Sequence, residues 1–376
     1  MASLVASGTG GASQVTRSKP APLGSVTQVS AGGHHTCALR SKNGGTVMCW
    51  GSDAEGQLGN NGTTDSKIPV GVKGLRAATQ ISSGQNHTCA LLTSTHVECW
   101  GQGNDGQLGN GALGNSNIAV MVRRLTGVAQ ISAGAYHTCA VLTSGRVKCW
   151  GLGGSGQLGD GKFANSKYPA NVSGITNALQ VSAGGHHTCA LLATQKIKCW
   201  GQGRYGQLGN NKLSNQDVPV SVAASLANAT QVSTGLYHSC ALILTGGGVV
   251  ECWGRGNRGQ LGNGLNANHS VPVLVSGITN AIQVTSGAYH SCALITSRVV
   301  KCWGAGSFGQ LGNGMSTDSP NEVVVSKITD AKQISGGADH TCALLTTGHV
   351  ECWGLGTSGQ LGNDRKANAP TPVVVL

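Results

Sequence analysis

The chain has 376 residues, 60 of them glycine and a tenth of them charged, with 25 basic side chains against 14 acidic for a formal charge of +11. So glycine-rich a chain leaves little room for helices of ten residues or more, and no apolar run is long enough for a membrane-spanning helix. The charge supports mild attraction to anionic partners. Yet the basic residues are scattered, and no basic stripe with interleaved aromatics marks a nucleic-acid surface, so that class of partner is weakly supported.

Residues 1–24 are rich in Ser, Gly, Ala and Thr and read as a flexible or degenerate segment; they lack the charged start and apolar stretch of a secretory leader. From Ser25 onward the chain repeats itself seven times: Gly-x-x-His-(Thr/Ser)-Cys-Ala, a short gap, Cys-Trp-Gly, then Gly-Gln-Leu-Gly. The first cysteine recurs at Cys37, Cys89, Cys139, Cys189, Cys240, Cys292 and Cys342, a period of 50 to 52 residues. A unit that small cannot bury a core alone, so the repeats must stack or close, and residues 25–376 form one domain. In the second copy the pattern predicts four strands, Pro69 to Val72, Ala78 to Ser82, His87 to Leu92 and His96 to Trp100, separated by Gly, Ser, Asn and Thr. Seven such units make an all-β, seven-bladed β-propeller with four antiparallel strands per blade. The first copy lacks a Pro-Val-x-Val strand before Val26, whereas the chain ends on one, Pro372 to Leu376. The expectation is a ring closed by pairing of terminal strands, the last completing the first blade; the competing reading gives Pro20 to Leu23 that role.

The hairpin register follows from the cysteines. If Cys89 faces Cys99, then Leu91 faces Val97, Ala90 faces Glu98, and a tight loop remains at Thr93 to Thr95. Opposed positions of an antiparallel pair lie ~4.5 to 5.5 Å apart, within reach of a disulfide. The same pairing applies to Cys37 and Cys49, Cys139 and Cys149, Cys189 and Cys199, Cys240 and Cys252, Cys292 and Cys302, and Cys342 and Cys352. One pair per repeat and no odd thiol read as a disulfide framework of an oxidising compartment. Two alternatives stand beside it: fourteen reduced cysteines acting as small buried hydrophobes, and a metal set built from His87, Cys89 and Cys99, which lacks the fourth ligand zinc takes. We expect no metal and no cofactor.

The run HTCAL, followed by VxCWG and GxGxxGQLGN, resembles the repeat of the regulator of chromosome condensation family, over essentially residues 25–376. The resemblance implies a seven-bladed propeller, and cysteine at both hairpin positions is more similar to secreted bacterial members than to the nuclear exchange factor that names the family. Function does not follow from it, because the fold serves unrelated tasks.

The repeated residues read as structure. Trp50, Trp100, Trp150, Trp200, Trp253, Trp303 and Trp353 share one slot and pack between blades. The seven histidines of the Gly-x-x-His turn share another, whereas a catalytic site breaks symmetry with a unique acid, base or nucleophile; none stands out, and the chain reads as no enzyme. His34 and His186, beside the repeated histidine, read as exposed turn residues. The Gly-x-Gly-x-x-Gly runs match dinucleotide loops in spelling only, since no helix follows them.

Recognition is therefore sought where the copies differ. The Gly-x-x-His turns and the Gly-x-Gly-x-x-Gly turns emerge on one face, and their variable positions hold Tyr136, Tyr237 and Tyr289 in the first set and Arg204, Tyr205, Arg255, Arg258 and Phe308 in the second. Aromatics and arginine on rigid loops are the residue types of binding hot spots. The reading that follows is a non-enzymatic, disulfide-stapled binding scaffold that recognises a protein or surface partner through one loop face, in an extracellular, cell-surface or virion-associated setting. The alternative is a structural subunit of an extracellular or viral assembly that contacts copies of itself. Guanine nucleotide exchange is disfavoured, because near-uniform repeat lengths leave no room for a long protruding insertion.

Overall fold

The computed structural model describes residues 21–41, 44–75, 77–223, 226–244 and 247–376; the expected flexible segment falls, up to residue 20, outside them. Twenty-eight strands form seven four-stranded sheets, each in the order of the chain. In blade 1 these are β1 (Val26–Ala31), β2 (His35–Arg40), β3 (Thr46–Gly51) and β4 (Ser66–Gly71). Blade 2 is β5 (Ala78–Ser83), β6 (His87–Leu92), β7 (Val97–Gly101) and β8 (Ser116–Met121). Blades 3 to 7 span 128–171, 178–221, 229–274, 281–324 and 331–374.

The register is the one the cysteines imply: Cys89 pairs with Cys99, Ala90 with Glu98 and Leu91 with Val97. Seven disulfides join the seven opposed pairs, with Cα atoms 4.1 Å apart at Cys37–Cys49 and 4.0 Å at Cys89–Cys99.

Two expectations are corrected. The strand containing Pro69 and Val70 does not open blade 2. It is the outer strand of blade 1, where Cys49 pairs with Val70. By the same rule the last strand, β28 (Ala369–Val374), stays in blade 7, with Cys352 opposite Val373, and does not complete blade 1. The two ends of the ring still meet, through the Leu23 N–H donated to the Val375 carbonyl at 3.0 Å. A strand that ends with Val at the hairpin's outer edge pairs with the chain that has just left that hairpin, because the short connection favours its immediate neighbour.

Closure rests on seams between blades, and all seven seams are alike. Each apolar cluster spans two blades: Cys89, Leu91, Val97, Cys99 and Leu108 of blade 2 pack against Ile131, Ala140 and Trp150 of blade 3. Cys342, Leu344, Val350 and Cys352 of blade 7 pack in the same way on Val29, Ala38 and Trp50 of blade 1. The tryptophans are fully buried. Each donates its Nε1–H to the carbonyl of a glutamine in the preceding blade, as Trp100 does to Gln57 at 2.9 Å and Trp50 to Gln360 at 2.9 Å.

A polar network lies over this apolar one. The inner strand of each blade is an edge, with backbone groups that need partners. A glutamine of the preceding blade supplies them: Gln28 Oε1 accepts from the Ile81 N–H at 2.8 Å, and its Nε2 donates to the Ile81 carbonyl at 3.0 Å. Two residues on, the Ser30 hydroxyl accepts from the Ser83 N–H at 2.9 Å. Side chains thus perform the pairing that a fifth strand would. The repeated histidines add a further ring: His35 Nε2 meets the Thr88 hydroxyl at 2.7 Å, and His340 Nε2 meets Thr36 at 2.8 Å. Thr88 donates its only hydroxyl proton to the Gln57 carbonyl, so it accepts from His35, which fixes the proton on Nε2.

Candidate binding face

Both variable turns leave the same face, where they are tied together. In every blade the residue after the Cys-Trp-Gly run donates its N–H to the carbonyl of the residue before the repeated histidine, as Gln202 does to His186 at 2.8 Å and Arg255 to Tyr237 at 2.9 Å. The outer turn is braced from inside. The Tyr205 N–H donates to Gln207 Oε1 at 2.9 Å, and the Gly203 N–H donates to Asn215 Oδ1 at 3.1 Å. Side chains at these tips therefore project from backbone that is already fixed.

Six of the eight anticipated residues converge. Tyr136, Tyr237 and Tyr289 stand on blades 3, 5 and 6, and His186 fills the gap on blade 4. Ring centroids are 5.3 Å apart for Tyr136 and His186, 6.3 Å for His186 and Tyr237, and 6.2 Å for Tyr237 and Tyr289. Tyr205 meets Tyr237 edge-on at 5.2 Å. Two guanidiniums lie over these rings. Arg255 is 5.1 Å from Tyr205, 5.6 Å from Tyr237 and 5.4 Å from Tyr289, and Arg204 is 4.8 Å from Tyr205 and 5.8 Å from Tyr237. Such contacts contribute ~0.5 to 1 kcal/mol at exposed sites and hold long side chains in place. The remaining two stand apart: Arg258 reaches Asp318 at 3.3 Å, and Phe308 is exposed with no ring contact among the described residues.

His186 is not the exposed turn residue that the sequence implied. It is half-buried between two tyrosines, and burial, then the charge of Arg204, lowers its pKa. Its signal was available: it occupies the slot that Tyr136, Tyr237 and Tyr289 occupy in neighbouring blades. Burial, followed by the neighbouring Tyr237, raises the pKa of Tyr289.

The face has two poles. Arg204 and Arg255 lie on blades 4 and 5. Across the ring, blades 1 and 2 carry Glu55 and Asp105, whereas Asp339 of blade 7 borders the cluster and interacts electrostatically with Tyr289 and Arg258. Glu55 and Asp105 accept from the side-chain amides of Asn115 and Asn165 in the next blade, the latter at 3.4 Å, and no cation pairs with them among the described residues. Lys67 and Lys366, on that side, are taken up by Asp364 and Asp65 at 3.0 and 3.1 Å. Burial raises the pKa of Asp339 against the opposing effects of His34 and Arg258.

The seven repeated histidines are fully buried, and burial lowers their pKa values to about 3 at His35 and about 4 at His87. They serve the seams. One acid breaks the symmetry: Asp53 stands where the other blades have glycine, accepts from the Leu58 N–H at 2.9 Å and is pushed up to about 6 by burial. It is closed off from solvent.

Residues 6–276 match the family described as the RCC1-like domain, and residues 281–310, 331–360 and 301–344 match the regulator of chromosome condensation (RCC1) repeat. The chain belongs to the RCC1-like propellers. Among solved structures it is similar to human WBSCR16, with 24% identity over 86% of this chain and 87% of that one and a TM-score of 0.77. It is similar also to Prp20p of Saccharomyces cerevisiae, described for its binding to Gsp1p and histones, with 20% identity over 88% and 85% and a TM-score of 0.77. The ectodomain of the Physcomitrella patens receptor kinase CR4 matches with 22% identity over 88% and 74% and a TM-score of 0.56. At such identities the likeness is one of fold.

Proposed function

We propose that this RCC1-like propeller is a non-enzymatic binding scaffold that recognises a protein partner through the face of its variable turns, in an oxidising, extracellular or surface setting. The observation that carries the reading is the cluster of Tyr136, His186, Tyr237, Tyr289 and Tyr205 under Arg204 and Arg255, assembled from four blades on braced backbone. Aromatic and arginine side chains whose conformations are set before binding lose little entropy on docking. Relatives of this fold engage proteins, as the description of Prp20p with Gsp1p and histones states. Seven disulfides and the likeness to a receptor ectodomain support the oxidising setting. The test is a photo-crosslinking amino acid at position 237, applied in the native source, with and without Tyr136→Ala and Tyr289→Ala. Loss of the crosslinked protein with an unchanged melting temperature supports the face; capture that ignores the substitutions removes it.

A second reading, a subunit of a self-contacting assembly, draws on the outer loops. Leu113, Phe163, Leu213, Leu265 and Met315, on successive blades, are each more than half exposed. Repeated apolar tips of this kind fit contact with further copies. A monodisperse monomer by light scattering at high concentration counts against it.

A further inference from the structure

We infer that the partner presents carboxylate side chains, Asp or Glu on a protein loop, to the Arg204–Arg255 pair, with its cationic side over the pole of Glu55 and Asp105. The inference rests on the proposed binding face and adds the chemistry and orientation of what it takes.

Two guanidiniums share three tyrosine rings, yet no carboxylate pairs with either of them among the described residues. Arg258, three residues beyond Arg255 in the same turn, shows the contrast, since Asp318 neutralises it within the chain. Arg255 Nε is spent on Asn257 Oδ1 at 2.8 Å, which orients the remaining N–H donors of that fork. Guanidiniums so placed match carboxylates two bonds at a time. The phenol groups around them add further donors.

The opposite pole decides between polyanion and protein. A nucleic-acid strand crossing the face would run from Arg204 and Arg255 onto Glu55 and Asp105, where its phosphates meet like charge. The ring faces also serve poorly for base stacking, because Tyr237 is occupied by His186, Tyr205 and both arginines. A folded protein can carry acidic and basic patches on one surface and satisfy both poles in one orientation. Complementary fields of this kind set register and accelerate encounter.

The test uses the full chain with carbon-13 in its tyrosines and nitrogen-15 in its backbone, titrated separately with an Asp/Glu-rich peptide, its Asn/Gln counterpart, a Lys-rich peptide and oligothymidylate. The acidic peptide is expected to shift Tyr205, Tyr237 and Tyr289, to lose its effect as salt rises, and to bind at least ~10-fold more weakly to Arg204→Glu/Arg255→Glu. The Lys-rich peptide is expected to move the backbone amides of Glu55 and Asp105 and leave the tyrosines alone. Equal binding of the neutral peptide, no response to any peptide, or preferential binding of oligothymidylate overturns the inference. A crosslinked partner that survives Arg204→Glu/Arg255→Glu but is lost in the tyrosine variants leaves the face standing and this inference fallen. Arg204 is exposed and Arg255 half-buried, so a melting curve of the double variant, read beside that of Arg204→Glu alone, shows that it folds.

Discussion

Gln333 Oε1 accepts a hydrogen bond from the N–H of Val29 at 3.0 Å, across 304 positions of sequence, and Gln333 Nε2 returns one to the Val29 carbonyl at 3.2 Å. The same pair of bonds joins Gln28 to Ile81 between adjacent repeats. The seam that closes the ring is therefore chemically the same as those that build it, and it needs no exchange of strands between the ends.

The glutamine ring predicts a uniform cost. Gln80→Leu leaves the Ile131 N–H without its acceptor, and Gln333→Leu does the same to Val29. An orphaned buried amide costs ~1 to 3 kcal/mol. Both variants should melt lower by a similar amount, in thermal scans at a fixed rate. A far larger loss for Gln333→Leu would show that the closing seam is special, against the equivalence seen here.

The histidine ring predicts acid sensitivity. Burial lowers the folded-state pKa from the ordinary 6.5 to about 3 at His137 and about 4 at His290, so between those values and 6.5 the unfolded chain binds protons that the folded chain refuses. Stability is complete above pH 6.5 and falls as pH falls through the window, each fully buried histidine steepening the slope by up to about 1.4 kcal/mol per pH unit. Asp53, raised from 3.8 to about 6, and Asp339, Glu98, Glu251 and Glu351, each raised by burial, work in the opposite direction, but the fully buried histidines outnumber them. Melting temperature should drop steeply from pH 6.5 to 4. His137→Gln, whose amide can still donate to Thr188, should flatten the curve by one proton's worth. A flat profile would contradict the neutral buried ring.

Reading the sequence recovered what a single repeat contains. The register of β6 against β7 and the disulfide partners are local, because two cysteines on one hairpin answer each other. The glutamines escaped notice although each is plainly visible, as in the Thr-Gln-Ile-Ser run of β5. A polar residue on an inner strand reads as solvated, and its true partner is backbone of another repeat. The blade boundary was misplaced for a related reason: a period is the same wherever the cut is made, and only pairing such as Cys49 with Val70 decides it. The binding-face residues were legible as departures from the template, yet the meeting of Tyr136 with His186 depends on turns from separate blades converging on one axis.

The disulfides predict a graded response. Mass spectrometry of unreduced peptides should find Cys89 linked to Cys99 and the six equivalents. Cys89→Ala/Cys99→Ala removes a bridge that closes a loop of sequence separation 10, and should lower stability by ~2 to 3 kcal/mol. Free thiols in protein from its native source would end the oxidising-compartment reading while leaving the fold untouched.

The packing of tryptophan on glycine predicts a pair of opposite outcomes. Gly109 has φ +64°, and a methyl group there would lie 2.7 Å from Trp150 Nε1 and 2.9 Å from Val122 Cγ1. Gly109→Ala must therefore strain the backbone and also push the tryptophan off the seam, where its Nε1–H reaches Gln107 at 2.9 Å. A left-handed alanine alone costs ~1 to 2 kcal/mol, and the displaced ring adds to it. Gly114 sits in the same long loop with open space around it and no positive φ. Gly114→Ala should be neutral or stabilise by ~0.4 to 1 kcal/mol through the unfolded chain. Thermal melts of the two variants, with near-ultraviolet circular dichroism reporting the tryptophan environment, separate the explanations. Equal effects at the two sites would mean that the repeated glycine serves chain flexibility and not the seat of the neighbouring blade's tryptophan.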